Sequence, residues 1–434
     1  LDCTAAAAVI IMAAGGPSMR WITHSLLASS LVTLALPAAS RAGETPCTAP
    51  RLSARGQSQH IDIISYKPWV YVSMNNSRPL HFILDAGSPF TLLNIGVPET
   101  AGFKRGPDRT LENGLVGHTY TPKACVNVLG VTMSDIDIGD IELDHVSAME
   151  GERIDGLVGG QLFSQYVVRI NYMESTVDVF PASYQYKGDG IVLPLTIDGL
   201  CFTDASVLSP DGRWVRGTFI VDTGVRMALL MNGPFADKNE LLMAEKRVPR
   251  ASVGVGVHGE TRGDIFRVSQ IELGGFYLSD VMSVASRDDV VIESEDPLAG
   301  IIGADLLRRF RVTFDYPHKQ LILEKTPETY APFVYDRSGL FLLGEGDDYR
   351  TIRVHSVIAG SPAEDAGIRN GDRLVSVDGK NARRLGLEAT RRLFRENNTR
   401  YRLVLERDGE RVSAQLVTRD LLETRAAVVE GARG

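Results

Sequence analysis

A short pattern occurs twice in this chain, and the repetition limits what it can fold into more than any other feature. Phe82-Ile83-Leu84-Asp85-Ala86-Gly87-Ser88 returns as Phe219-Ile220-Val221-Asp222-Thr223-Gly224-Val225. Two further landmarks follow in the same order. Ile138-Gly139 ahead of Ile141 and Leu143 matches Leu273-Gly274 ahead of Phe276 and Leu278, and Gly156-Leu157-Val158-Gly159 matches Gly300-Ile301-Ile302-Gly303. The first Gly-aliphatic-aliphatic-Gly run continues into Leu162, Phe163, Tyr166, Asn171 and Tyr172, the second into Leu306, Leu307, Phe310, Asp315 and Tyr316. A fixed displacement of about 140 residues is the mark of a duplicated unit. From Ile61 to about Glu324 short alternating runs are broken by Gly, Asn, Asp and Pro, so both units are expected to be mostly β.

Asp85 and Asp222 stand out by context. Each ends an apolar strand and is followed by a glycine that permits a tight turn. Asp365-Ala366-Gly367 has the same tripeptide as Asp85-Ala86-Gly87 but lies in a polar, helix-like stretch after Pro362, and is set aside. Two carboxylates brought close together cannot both ionise, so the pair shares a proton. The ionised member can then deprotonate a water while the protonated one polarises a carbonyl, without a metal, a cofactor or a covalent intermediate.

On these motifs each unit resembles a retropepsin-type aspartic protease lobe, and the pair resembles a single-chain, pepsin-like fusion over residues 59 to 325. The resemblance implies two pseudo-twofold-related β-barrel lobes, catalysis by Asp85 and Asp222, and a polypeptide substrate. It implies supporting roles for Gly87, Ser88, Thr223 and Gly224: the glycines let the two turns approach, Thr223 bonds into the opposite lobe, and Ser88 is placed to bond an outer carboxylate oxygen. Substrate-covering hairpins are expected near Gly114 to Thr119 and Val253 to Gly259, bearing His118 and His258. Two departures stand out. Ala86 replaces a Thr or Ser, removing half of a reciprocal hydroxyl pairing worth on the order of 1 kcal/mol. Val225 replaces the counterpart of Ser88. A degenerate, non-catalytic peptide-binding protein is the alternative reading.

Beyond Lys325-Thr326-Pro327 the texture changes. Ser338-Gly339-Leu340-Phe341-Leu342, the Gly360-Ser361-Pro362-Ala363 to Ala366-Gly367 segment and Asn370-Gly371-Asp372 resemble a PDZ domain of the bacterial protease-associated kind, an α+β unit over residues 333 to 420. The resemblance assigns peptide binding to Gly339, Leu340, Phe341 and Leu342. Backbone amides there would receive a peptide C-terminal carboxylate, and the strand edge would pair with the peptide beside a helix over Leu387 to Phe394. A helical pattern is expected from Leu385 to Arg395 and a strand pair around Arg407-Asp408-Gly409.

A formal charge of -8 over 434 residues, without a Lys/Arg stripe, gives no footprint for nucleic acid. Residues 1 to 42 read as a leader and signal peptide. The apolar run from about Leu26 to Leu36, after Met19-Arg20, is shorter than the roughly 20 residues a membrane span needs. Export to a periplasmic or secreted location, with cleavage near Ala42, is therefore expected, and no later segment reads as a span. Residues 43 to 58 read as a linker, 59 to 188 and 189 to 326 as the lobes, and 421 to 434 as a tail. Cys47, Cys125 and Cys201 admit one disulfide and a free thiol, or three separate thiols. The remaining histidines are scattered without ligand spacing, and Glu293 to Asp296 reads as a solvated acidic loop.

Overall fold

The computed structural model describes Cys47 and residues 52–75, 77–110, 116–121, 124–243, 248–256, 259–287 and 298–422. The leader, the Glu293 to Asp296 cluster, Gly114, His258 and all but the first residues of the tail lie outside them.

The protein is mostly β, and its two central motifs are built alike. In the first, strand Leu80–Leu84 runs parallel to Gly156–Val158, with Phe82 opposite Gly156. In the second, Trp214–Val221 runs parallel to Gly300–Ile302, with Phe219 opposite Gly300. Strands Leu92–Asn94 and Leu229–Met231 then pair antiparallel to the glycine-led strands, and Gly139–Ile141 and Phe276–Ser286 add in parallel beyond them. The runs Phe82-Ile83-Leu84 and Phe219-Ile220-Val221 are buried throughout. Such strands read as unbroken apolar runs because both faces are covered.

A third sheet joins the two units. Its order is Gln57–His60, Thr176–Pro181, Tyr166–Asn171, Phe310–Asp315, Gln320–Lys325 and Ile191–Pro194. The repeat-equivalent strands Tyr166–Asn171 and Phe310–Asp315 meet antiparallel at its centre, so the pseudo-twofold axis passes between them. This places the two Asp turns face to face.

The expected hairpins form from Lys104–Thr110 with Val116–Thr121 and from Val248–Gly256 with Gly259–Leu273. Cys47 and Cys125 form a disulfide, whereas Cys201 is a free, buried thiol.

The C-terminal unit has a sheet ordered Leu340–Glu345, Thr351–Val357, Arg373–Val377, Arg400–Arg407 and Glu410–Val417. Asp408 and Gly409, both at positive φ, make the expected two-residue turn. The continuous helix expected from Leu385 to Arg395 is instead split. Helix Ala382–Leu385 ends at Gly386, whose φ of 81° redirects the chain into a second helix, Leu387–Leu393.

Candidate active site

Each aspartate directly follows its central strand. The Asp85 amide donates to the Val158 carbonyl and the Asp222 amide to the Ile302 carbonyl, both at 2.9 Å. The glycine-led strands thereby pin both backbones. Beyond them the turns curl back: Gly87 N–H donates to Asp85 Oδ1 at 2.9 Å and Gly224 N–H to Asp222 Oδ1 at 2.6 Å. The turns interlock closely. A Cβ on Gly87 would lie 2.1 Å from Asp222 Oδ2, and one on Gly224 would lie 2.6 Å from Asp85 Cγ. Each glycine thus touches the opposite carboxyl, and a side chain at either would displace it.

Both carboxyls are fully buried. Each carboxyl acts on the other's titration, and both Oδ2 atoms are buried without a hydrogen-bond partner among the described residues. Burial, then the Asp222 charge and its hydrogen bond, push Asp85 well above the usual carboxylate range, with the Gly87 amide and Lys67 opposing. Burial raises Asp222 too, but the Asp85 hydrogen bond, the Gly224 amide, Lys67 and the Val225 amide pull it back. Val225 N–H supplies a second donor to Asp222 Oδ1 at 3.2 Å. Asp222 Oδ1 thus has two amide donors and Asp85 Oδ1 one, an inequality that favours the charged form at Asp222.

Thr223 crosses between the lobes. Its Oγ1 donates to the Leu84 carbonyl at 2.6 Å and accepts from the Ala86 amide at 2.9 Å. Ala86 cannot return the bond, yet the Val221 carbonyl is not left without a donor. Cys201 Sγ donates to it at 3.2 Å. The Tyr316 hydroxyl donates to the Ala86 carbonyl at 3.4 Å. Where a hydroxyl is missing, the phenol crosses from the second lobe to the Asp85 turn, and the thiol serves the Val221 carbonyl within its own lobe. Burial pushes the Cys201 thiol up to about 12, so it stays a donor. Sequence reasoning left Cys201 unplaced. Its only signal was a position on strand Leu200–Leu208, immediately ahead of the Asp222 strand.

Ser88 corrects an expectation. Its hydroxyl donates to the Phe90 carbonyl at 2.8 Å, closing its own turn instead of bonding a carboxylate.

Charged side chains not foreseen from sequence surround the dyad. Lys67 Nζ meets Glu150 Oε1 at 2.7 Å, and both are fully buried. Burial acts to raise the Glu150 pKa, but Lys67, Arg226 and Arg391 overcome it and hold the group below its ordinary value. Buried Arg226, four residues after Asp222, reaches Glu388 Oε2 at 3.1 Å on the C-terminal unit.

The assigned peptide-binding residues of that unit are already engaged. Gly339 has a φ of 78°, and a Cβ there would lie 2.2 Å from Ser361 Cβ. The Leu340 amide donates to Ser338 Oγ at 3.0 Å, and that hydroxyl donates in turn to Asp336. Leu340 and Leu342 point into the unit's own core, and Phe341 is buried in a cluster shared with the two lobes. None of the three side chains faces solvent: two are core of the unit itself, and Phe341 is covered by the rest of the chain.

Residues 206–306 match a family model described as aspartyl protease, and residues 353–407 match one described as PDZ domain. Among solved structures, the aspartic proteinase from Irpex lacteus is 17% identical, covering 64% of this chain and 99% of that one with a TM-score of 0.44. A photosystem II D1 C-terminal processing protease is 31% identical, covering 20% of this chain and 23% of that one with a TM-score of 0.18. No curated protein matches. The chain carries an aspartyl protease domain, matched over much of its second lobe, followed by a C-terminal PDZ domain.

Proposed function

We propose that the protein is an aspartic-type endopeptidase in which Asp85 and Asp222 activate a water for attack on a peptide bond. The observation that carries this reading is two fully buried carboxyls on interlocked turns, each against the other turn's glycine, with unequal donor sets. Asp222, with two amides on Oδ1, is the base that takes the water proton. Asp85 holds the shared proton against the substrate carbonyl and stabilises the charge that develops there. Gly87 and Gly224 keep the carboxyls in contact, and Thr223, Cys201 and Tyr316 keep the turns in register.

Export belongs to the same proposal. The Cys47–Cys125 disulfide suits an oxidising compartment and agrees with the leader pattern in the sequence. The PDZ domain supplies a peptide-recognition surface or a control on access.

Purified protein is expected to cleave an unfolded polypeptide at a pH between about 3 and 7 and to be blocked by a pepstatin-like inhibitor. Neither cleavage nor inhibitor binding would favour the non-catalytic, peptide-binding alternative.

A further inference from the structure

We propose that the groove face of the PDZ domain is taken by this chain's own catalytic body, and that the docked domain closes the substrate cleft. The second half rests on the peptidase reading; the first does not.

The groove of the PDZ domain lies between strand Leu340–Glu345 and helix Leu387–Leu393. The C-terminal end of helix Asp144–Glu150 and the glycine that caps it enter between them. The fit is close: a Cβ on Gly151 would lie 2.6 Å from Leu387 Cβ, and one on Gly344, which first meets the Tyr349 carbonyl oxygen of its own unit at 2.3 Å, would lie 3.1 Å from Gly151 Cα. Polar contacts fix the same approach: Arg350 meets Glu152 at 2.7 Å, and Ser65 Oγ donates to Glu388 Oε2 at 3.2 Å. Tyr66 joins the two bodies as well. Its ring lies within cation-π reach of Arg308 and of Arg395, on opposite sides of the interface.

The interface reaches the catalytic centre. Phe341 and Tyr335 share one apolar cluster with Met149, Val225 and Val253. Val225 donates its amide to Asp222, and Val253 lies on the hairpin expected to cover substrate. Arg226 leads from the Asp222 turn to Glu388, while Lys67 and Glu150 occupy the first-lobe side. Both aspartates are wholly buried, and the docked unit packs on Val225 beside Asp222 and on Val253 of the hairpin, so its separation would free both for an extended peptide.

Hydrogen exchange and cleavage, measured on the full chain, test the two halves separately. Glu388→Arg sets a like charge against Arg226 and Arg395, and Glu152→Arg does the same against Arg350. Each is expected to speed exchange at residues 144–151 and 340–345 together at least about tenfold, with protection of Arg400–Arg407 kept as evidence of folding. Cleavage of an unfolded polypeptide should rise by a similar factor. Adding Arg350→Glu to Glu152→Arg should return both towards the wild type. Unchanged exchange at both segments overturns the docking, and faster exchange without faster cleavage by an active protein overturns the closure. If exchange responds but no form cleaves, the docked face stands and the peptidase reading fails.

Discussion

The two Asp turns share a backbone plan but differ in how they are held. The Asp222 turn has Thr223, which makes two hydrogen bonds into the first lobe, and it offers two amides to its own carboxylate. The Asp85 turn has Ala86 and one amide on Oδ1, and it takes a bond from Tyr316 of the other lobe, while Cys201 serves the Val221 carbonyl that Ala86 leaves without a hydroxyl. The difference shows that a pseudo-symmetric site need not be chemically symmetric. Unequal donor counts make the two carboxyls inequivalent, and lost cross-bracing is replaced by groups far away in sequence.

The largest effect is expected from the carboxyls themselves. Asp222→Asn and Asp85→Asn should each lower kcat by about 10³-fold or more while the protein stays folded. Substantial cleavage by either variant would show that the two do not act as a pair. Next comes the brace. Thr223→Ala leaves the Leu84 carbonyl and the Ala86 amide without their partner, and should cost about 2–4 kcal/mol in denaturant unfolding. Thr223→Ser should recover most of it.

A smaller loss, about 1 kcal/mol, is expected for Cys201→Ala. Ala86→Thr in that background should restore stability by returning a hydroxyl to the gap. A Cys201→Ala cost as large as that of Thr223→Ala would remove the inequality between the turns.

The smallest effect is one of slope. A carboxyl whose folded pKa is raised holds its proton longer in the native than in the unfolded chain. Its stability contribution is complete below the unfolded value of about 3.9 and is lost as pH rises through the folded value. Wild-type stability should therefore decline relative to Asp85→Asn as pH rises from about 4. A stability difference that stays constant with pH would mean that Asp85 titrates normally.

Much of this was legible in the sequence because duplication and burial leave local traces. The runs before Asp85 and Asp222 are apolar at every position, and the glycines beside them recur in register. The missing hydroxyl at Ala86 was equally plain. Its replacement was not, because the Cys201-to-Val221 bond is tertiary and no spacing announces it. Ser88 misled for a related reason: sequence shows that a hydroxyl is present but not which acceptor it finds, and Phe90 lay closer. Gly386 breaks the expected helix because the apolar pattern continues through a residue at positive φ. The docked face was illegible altogether, since Lys67, Glu150, Arg226 and Glu388 come from four separated segments and form no motif.

Site-resolved ¹³C NMR of the Asp85 and Asp222 side-chain carboxyls, followed through a pH titration of the full chain, tests the unequal dyad most directly. The account predicts two coupled steps, with Asp222 ionising first and Asp85 keeping its proton to well above the usual carboxylate range. The reverse order, or two independent titrations near the unperturbed value of about 3.9, would contradict it.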